Sequence, residues 1–259
     1  MADRRLSFTG RRSFRPSPVF VGLVALWVTG GVMAWQGYGN ATVNILVFVI
    51  AGWLVTLSLH EYAHALLAYR AGDRSVAERG YLTLNPLKYA HPVLSIVLPV
   101  FFLLLGGIGL PGGAVWIDRH AIRNKVQDTL ISAAGPGVNV AFAFLMTVPF
   151  LIGVDVRAHL DFWAAWAFLA FLQVTAALLN YLPIPGVDGG NMIRPWLSPV
   201  WGRRFDFVAP FGMLAMIILL FQPLPNAIFF DVVFQISDII GLPPGLWALG
   251  REQFQFWRF

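Results

Sequence analysis

Charged residues in this chain are bunched, and the stretches they leave between them are apolar and long. Apolar spans run at roughly 18–36, 44–69, 93–110, 128–153, 161–182, 207–222 and 226–241. About 20 apolar residues suffice to cross a bilayer as a helix. Every backbone polar group must be satisfied inside such a span, and an α-helix achieves this within one segment. The composition agrees: 58% of the 259 residues are hydrophobic and 12% are charged, with a mean hydropathy of +0.68, whereas soluble domains carry about a quarter charged residues. The expected fold is an all-α polytopic membrane protein. No low-complexity linker or repeat divides it, so residues 17–250 are expected to form a single domain, between a basic tail at 1–16 and a short tail at 251–259.

A net charge of +5 does not indicate nucleic-acid binding here. The basic residues sit in short loops beside the apolar spans, where they set orientation in a membrane. The chain has no cysteine, so a thiolate metal site is excluded and any zinc must use histidine and carboxylate. The N-terminus, with Arg4, Arg5 and Arg15 before an apolar run, is similar to a signal peptide or a twin-Arg leader. The run is longer than an ordinary signal core and no small-x-small site follows it, so an uncleaved first helix is the reading adopted.

Loop charge then fixes topology. Five arginines in residues 1–16 place the N-terminus in the cytoplasm. The uncharged 37–43 loop is expected outside, and the 70–91 loop, with Arg70, Arg74, Arg79 and Lys88, inside. Residues 111–127 are basic as well, so both ends of the 93–110 span look cytoplasmic. The run Gly106-Gly107-Ile108-Gly109-Leu110-Pro111-Gly112-Gly113 cannot continue a regular helix. A re-entrant hydrophobic hairpin near 93–110, entering and leaving on one side, fits better than a crossing. About six transmembrane helices remain. Span 226–241 repeats Asp231, Gln235 and Asp238 at helical spacing; it is read as a crossing helix with its polar face against the bundle, the other reading being an interfacial amphipathic helix. If it crosses, the tail with Arg251 and Arg258 lies inside.

Within the 44–69 span stands His60-Glu61-Tyr62-Ala63-His64. Two imidazoles four residues apart share one helix face and can reach one ion, and the glutamate beside the first can take a proton from metal-bound water. The pattern arises by chance in soluble helices. Here, however, three ionisable groups interrupt an apolar run from Leu54 to Leu67, and such groups are costly in lipid. A catalytic zinc site needs a third protein ligand and an open position. His91, His120 and His159 read as solvated loop histidines. Asp188, in Pro183-Ile184-Pro185-Gly186-Val187-Asp188-Gly189-Gly190, is by itself an ordinary turn aspartate. Topology raises it: with a hairpin at 93–110, the 161–182 span runs outside to inside and delivers Asp188 to the histidines' side. With a crossing there, Asp188 would land on the far side.

These residues resemble the site-2 proteases, intramembrane zinc metalloproteases. Three features match in order: His60-Glu61-Tyr62-Ala63-His64; Ala133-Ala134-Gly135-Pro136-Gly137-Val138-Asn139 opening a helix; and Asn180-x-x-Pro183-x-Pro185-x-x-Asp188-Gly189. The stretch Leu82-Thr83-Leu84-Asn85-Pro86-Leu87-Lys88 is similar to that of compact bacterial members. The resemblance covers roughly residues 44–200. It implies one Zn2+ per chain bound by His60, His64 and Asp188, with Glu61 as the catalytic acid/base. It also implies that Asn180 helps hold the substrate or its developing oxyanion; satisfying broken backbone near Pro183 is the other role open to it. Gly135, Pro136 and Asn139 are expected to shape helix packing. Gly186-Val187 departs from the bulkier pair usual in the family, and the 115 residues between His64 and Asn180 leave no room for an inserted PDZ domain.

The activity so implied is hydrolysis of peptide bonds in or near transmembrane segments of membrane-protein substrates, in a bacterial cytoplasmic membrane. The partners expected are such a substrate helix and the lipid bilayer, with no nucleic acid; no oligomeric state is implied. A catalytically idle scaffold of the same fold and a metal transporter are the alternatives.

Overall fold

The computed structural model describes residues 14–89, 97–106 and 115–256. Among them the regular structure is helical. Helix α1 (Pro18–Gln36) starts where Ser17 Oγ accepts from Phe20 N–H, with Pro18 in the first turn, and stops at Gly37, whose φ of 67° closes the helix. Helix α2 (Ala41–Ala71) is capped by Asn40 and has 31 residues, about 46 Å of helix. The two form an antiparallel hairpin that packs closely at Gly30, where a Cβ would lie 2.9 Å from Phe48 N. A short turn α3 (Ser75–Glu78) and the loop to Tyr89 follow. The start of α1 returns to this loop, with Ser17 N–H donating to Thr83 O at 2.8 Å.

Helix α5 (Lys125–Leu151) lies between α2 and α6 (Leu160–Tyr181). Its contacts with α2 run in opposite order, Ile131 beside His64 and Asn139 beside His60, so the pair is antiparallel. Those of α6 with α2 run in the same order. Phe48 meets Phe162 and Trp166, Gly52 meets Leu169, and Thr56 meets Gln173. Helices α2 and α6 are therefore parallel, and both end at the same face of the molecule. Helix α6 is central, with 16 of its 22 residues buried, in keeping with its being apolar on all sides.

Because α2 ends and α5 begins at one face, the chain between them leaves and returns on that side. Its described flanks confirm this: Tyr89 Oη donates to Ser58 O at 3.1 Å, and Val115 N–H donates to Glu61 Oε2 at 3.1 Å. Helix α4 (Leu98–Gly106) has nine residues, about 13 Å, and is too short to cross. Much of the expected hairpin at 93–110 lies outside the described residues.

Beyond α6, Pro183 and Pro185 prevent further helix, and Gly186 turns the chain with φ of 92°. Helix α7 (Asp188–Ile193) follows, then α8 (Pro199–Leu220), α9 (Pro223–Ile239) and α10 (Pro244–Phe254). Among the described residues four helices, α1, α2, α5 and α6 (whose span begins at Arg157), are long and apolar enough to cross a membrane. Helices α8 and α9 reach that standard only together and are bent by 91° at Phe221–Gln222. The six expected crossings thus become four, or five with the bent pair, because Pro223 and Pro225 break the path between spans 207–222 and 226–241.

Two further expectations are corrected. Asp231, Gln235 and Asp238 are exposed, while Phe229, Val233 and Ser237 are the buried residues of α9. The polar face turns away from the bundle, because aromatic packing of Phe234 on Phe171 and Trp247 orients the helix. Helix α10 also ends at the face where α6 begins, whereas the crossing expected at 226–241 would bring the chain to the face where α6 ends. Helix α10 runs back along α6, with Trp247 on Phe171, Phe254 on Phe168, and Gln253 Nε2 donating to Asp161 Oδ1 at 2.7 Å. One hydrophobic cluster extends from Ile45 to Phe254, and a smaller one at the α2 C-terminus joins Ala65, Val76, Tyr81, Leu82 and Ile131.

Candidate metal centre

His60, Glu61 and His64 are buried on α2, near where α2, α5 and α7 meet. His60 Nε2 lies 3.1 Å from His64 Nε2, and Asp188 Oδ2 lies 3.2 Å and 3.3 Å from them. These three atoms form a nearly equilateral triangle. A tetrahedral ion with bonds of about 2.0–2.1 Å requires ligand atoms about 3.3 Å apart, so the triangle has the size of one face of its coordination shell.

Protonation points the same way. His64 Nδ1 lies 2.6 Å from the Ile131 carbonyl oxygen, which can only accept, so Nδ1 carries the hydrogen and Nε2 presents a lone pair. His60 Nδ1 lies 2.7 Å from Asn139 Oδ1 and is in the same state. With both imidazoles neutral, two lone pairs and a carboxylate oxygen converge on one point, an arrangement that a bound cation satisfies. Asp188 stands beyond the crossing helices at the start of α7.

Space is also reserved. A Cβ on Gly135 would stand 2.1 Å from His64 Nε2 and 2.5 Å from His60 Nε2, so any side chain there would crowd both ligand nitrogens. Pro136 follows and removes a backbone hydrogen bond from α5 at this level. On the other wall, Gly189 and Gly190 bring α7 against the carbonyls of Tyr181, Leu182 and Ile184. This close docking carries Asp188 to the histidines.

The comparisons bear on what such a site belongs to. No family model matches the chain, and no solved structure matches it. Curated relatives do. A Mycobacterium tuberculosis protein is 45% identical over 257 residues, covering 97% of this chain and 98% of its own length. Its counterpart in Mycolicibacterium smegmatis is 43% identical over 255 residues, covering 95% and 96%. Both are named "Putative zinc metalloprotease Rip2". A Bacillus subtilis protein, YwhC, described in the same words, is 25% identical over 196 residues, covering 73% and 87%. The chain belongs to the site-2 protease-type family.

In this site-2 protease-type chain the triangle opens into a cavity of about 100 Å3 whose walls include Glu61, Val115, Ser132 and Asn180. Glu61 therefore faces the same space as the three converging atoms. Asn180 is buried in the last turn of α6, where its Nδ2 donates to Ala176 O at 3.1 Å, leaving the second amide hydrogen for the cavity. The histidines set aside from the sequence stay apart: His120 is exposed, His159 stacks on Trp35 at the opposite end, and His91 lies outside the described residues.

Sequence reasoning missed the groups behind the ligands. Asn139, expected to serve packing, holds His60. It leans in turn on Gln173, whose Oε1 accepts from Asn139 Nδ2 at 2.8 Å. Gln173 and Thr175 are the polar side chains between Asp161 and Asn180 in an otherwise apolar helix; that isolation was the available signal. The Ile131 carbonyl had none, since any residue type supplies one.

Proposed function

We propose that this chain is an intramembrane zinc metalloprotease in which His60, His64 and Asp188 hold one Zn2+ and Glu61 is the catalytic acid/base. The observation that carries the reading is the convergence of two imidazole lone pairs and a carboxylate oxygen beside Glu61, within a helix long and apolar enough to cross a membrane. Held there, Zn2+ would polarise the scissile carbonyl and lower the pKa of a coordinated water from about 16 toward 7. Glu61 takes a proton from the attacking water as its oxygen bonds to the carbonyl carbon. It returns that proton to the amide nitrogen as the C–N bond breaks. The Val115 N–H on Oε2 fixes the carboxylate, leaving Oε1 for the proton. Asn180 donates its free amide hydrogen to the oxyanion.

The substrate we propose is a transmembrane segment of another membrane protein. In a helix each carbonyl is engaged in an i to i−4 hydrogen bond, so the segment must unwind and present an extended stretch to the site. Water would enter from a neighbouring cavity of about 510 Å3 that shares Ile117, Arg119 and Asn191 with the walls of the site. We further propose a bacterial cytoplasmic membrane, with the N-terminus and the metal end facing the cytoplasm.

The test compares the purified protein with Glu61→Gln. About one zinc per chain is expected in both, with cleavage of a transmembrane reporter reduced roughly 10^2–10^4-fold in the variant. Zinc binding without cleavage by the parent across several reporters would favour an idle scaffold, and metal flux into liposomes a transporter.

A further inference from the structure

The hydrogen bonds behind His60 continue through the core as a chain with one direction. Thr56 Oγ donates its single hydrogen to Trp53 O at 2.9 Å, one turn back in α2. A backbone carbonyl cannot donate, so toward Gln173 the hydroxyl can only accept, and Gln173 must present its amide nitrogen, 3.0 Å away. Its Oε1 then faces Asn139 and accepts from Nδ2 at 2.8 Å. That leaves Asn139 Oδ1 toward His60, 2.7 Å from Nδ1. Each link fixes the next, and the last places the imidazole hydrogen on Nδ1. His60, Asn139, Gln173 and Thr56 are between 0% and 5% exposed, so bulk water cannot substitute for a missing partner.

An isolated Asn139 would not hold this arrangement. Its amide can turn over, presenting NH2 to His60 at almost the same shape. His60 Nδ1 would then have to accept, its hydrogen would move to Nε2, and the lone pair facing His64 and Asp188 would be lost. We propose that Gln173 and Thr56 are positioning residues which, through Asn139, lock His60 in the tautomer able to bind a metal ion. The inference rests on the metal-site reading above and adds to it two residues that touch neither metal nor substrate. It also gives a reason for an amide in the middle of α6, the most buried helix of the bundle, where any uncommitted polar group would be costly.

The experiment measures zinc affinity by chelator competition on the full chain in detergent, so cleavage is not the readout. Gln173→Met removes both polar atoms at similar size. It is expected to weaken zinc binding roughly 10–100-fold, the usual loss for a group supporting a ligand, and Thr56→Val by less. Asn139→Asp in the Gln173→Met background supplies the discriminating measurement. A carboxylate accepts from His60 whichever way it turns, so it needs no relay, and affinity should return to within a few-fold of the parent. Zinc binding by Gln173→Met equal to the parent's would overturn the proposal. So would a deficit that Asn139→Asp fails to repair, since that is the behaviour of a packing defect. A parent that binds no zinc at all would instead remove the metal-site reading, a result visible before any relay variant is made.

Discussion

Gly135 shows how closely single residues constrain the site. Its missing Cβ leaves room beside the two Nε2 atoms. Gly135→Ala is expected to reduce zinc from about one per chain to near zero, because the methyl carbon would sit 2.1 Å from His64 Nε2. A gain in helix propensity of up to about 1 kcal/mol is set against the crowding of two buried imidazoles, an overpacking cost of about 1–3 kcal/mol, so the metal-free variant should keep its fold with a modestly lower unfolding temperature. Metal analysis with a thermal melt separates the two effects. Loss of both zinc and fold would contradict the assignment of this space to the metal. Asp188→Asn and His64→Ala should likewise lose zinc while keeping the helical spectrum, since the main hydrophobic cluster lies elsewhere.

Among the elements, the Pro183–Val187 loop joins α6 to the ligand on α7, and its position depends on α8. Gly212 approaches so closely that a Cβ would stand 1.5 Å from Pro185 O, and Gly186 meets Ala209 O in the same way. Gly212→Ala should push α8 off the loop, at an overpacking cost of about 1–3 kcal/mol. It should also weaken zinc binding, although residue 212 is not a ligand. Denaturant unfolding and chelator competition measure the two; an unchanged zinc affinity would show that the loop holds Asp188 without α8. Periodicity could not reveal this dependence, because Gly212 and Gly186 are distant in sequence from the groups they admit.

The whole molecule is built so that α2 and α6 run parallel, which brings His60, His64 and Asp188 to one end. Cysteine labelling is free of background in a chain without cysteine. His120→Cys and Val156→Cys should label from opposite sides of the membrane, and Glu252→Cys from the same side as Val156→Cys, because α10 ends beside Asp161. Labelling of positions 120 and 156 from one side would overturn the arrangement of α5 and α6. Removal of the metal is a second test at this scale. A strong chelator should abolish cleavage while the far-UV spectrum persists, and added zinc should restore activity. The core from Ile45 to Phe254 holds the fold without an ion.

Sequence alone determined that the chain is helical and membrane-embedded, that His60, Glu61 and His64 share a helix, and that Asp188 must reach them if the intervening segment returns to its own side. Those conclusions rest on local quantities: hydropathy over about 20 residues, a four-residue spacing, and loop charge. Tertiary structure decided the rest. The bend between α8 and α9, the outward polar face of α9 and the return of α10 along α6 all follow from aromatic and small-residue packing between distant segments. The same holds for the buried path from Trp53 O to His60. The direction of a hydrogen bond belongs to a pair of groups, and only folding brings residues 56, 173, 139 and 60 together to set it.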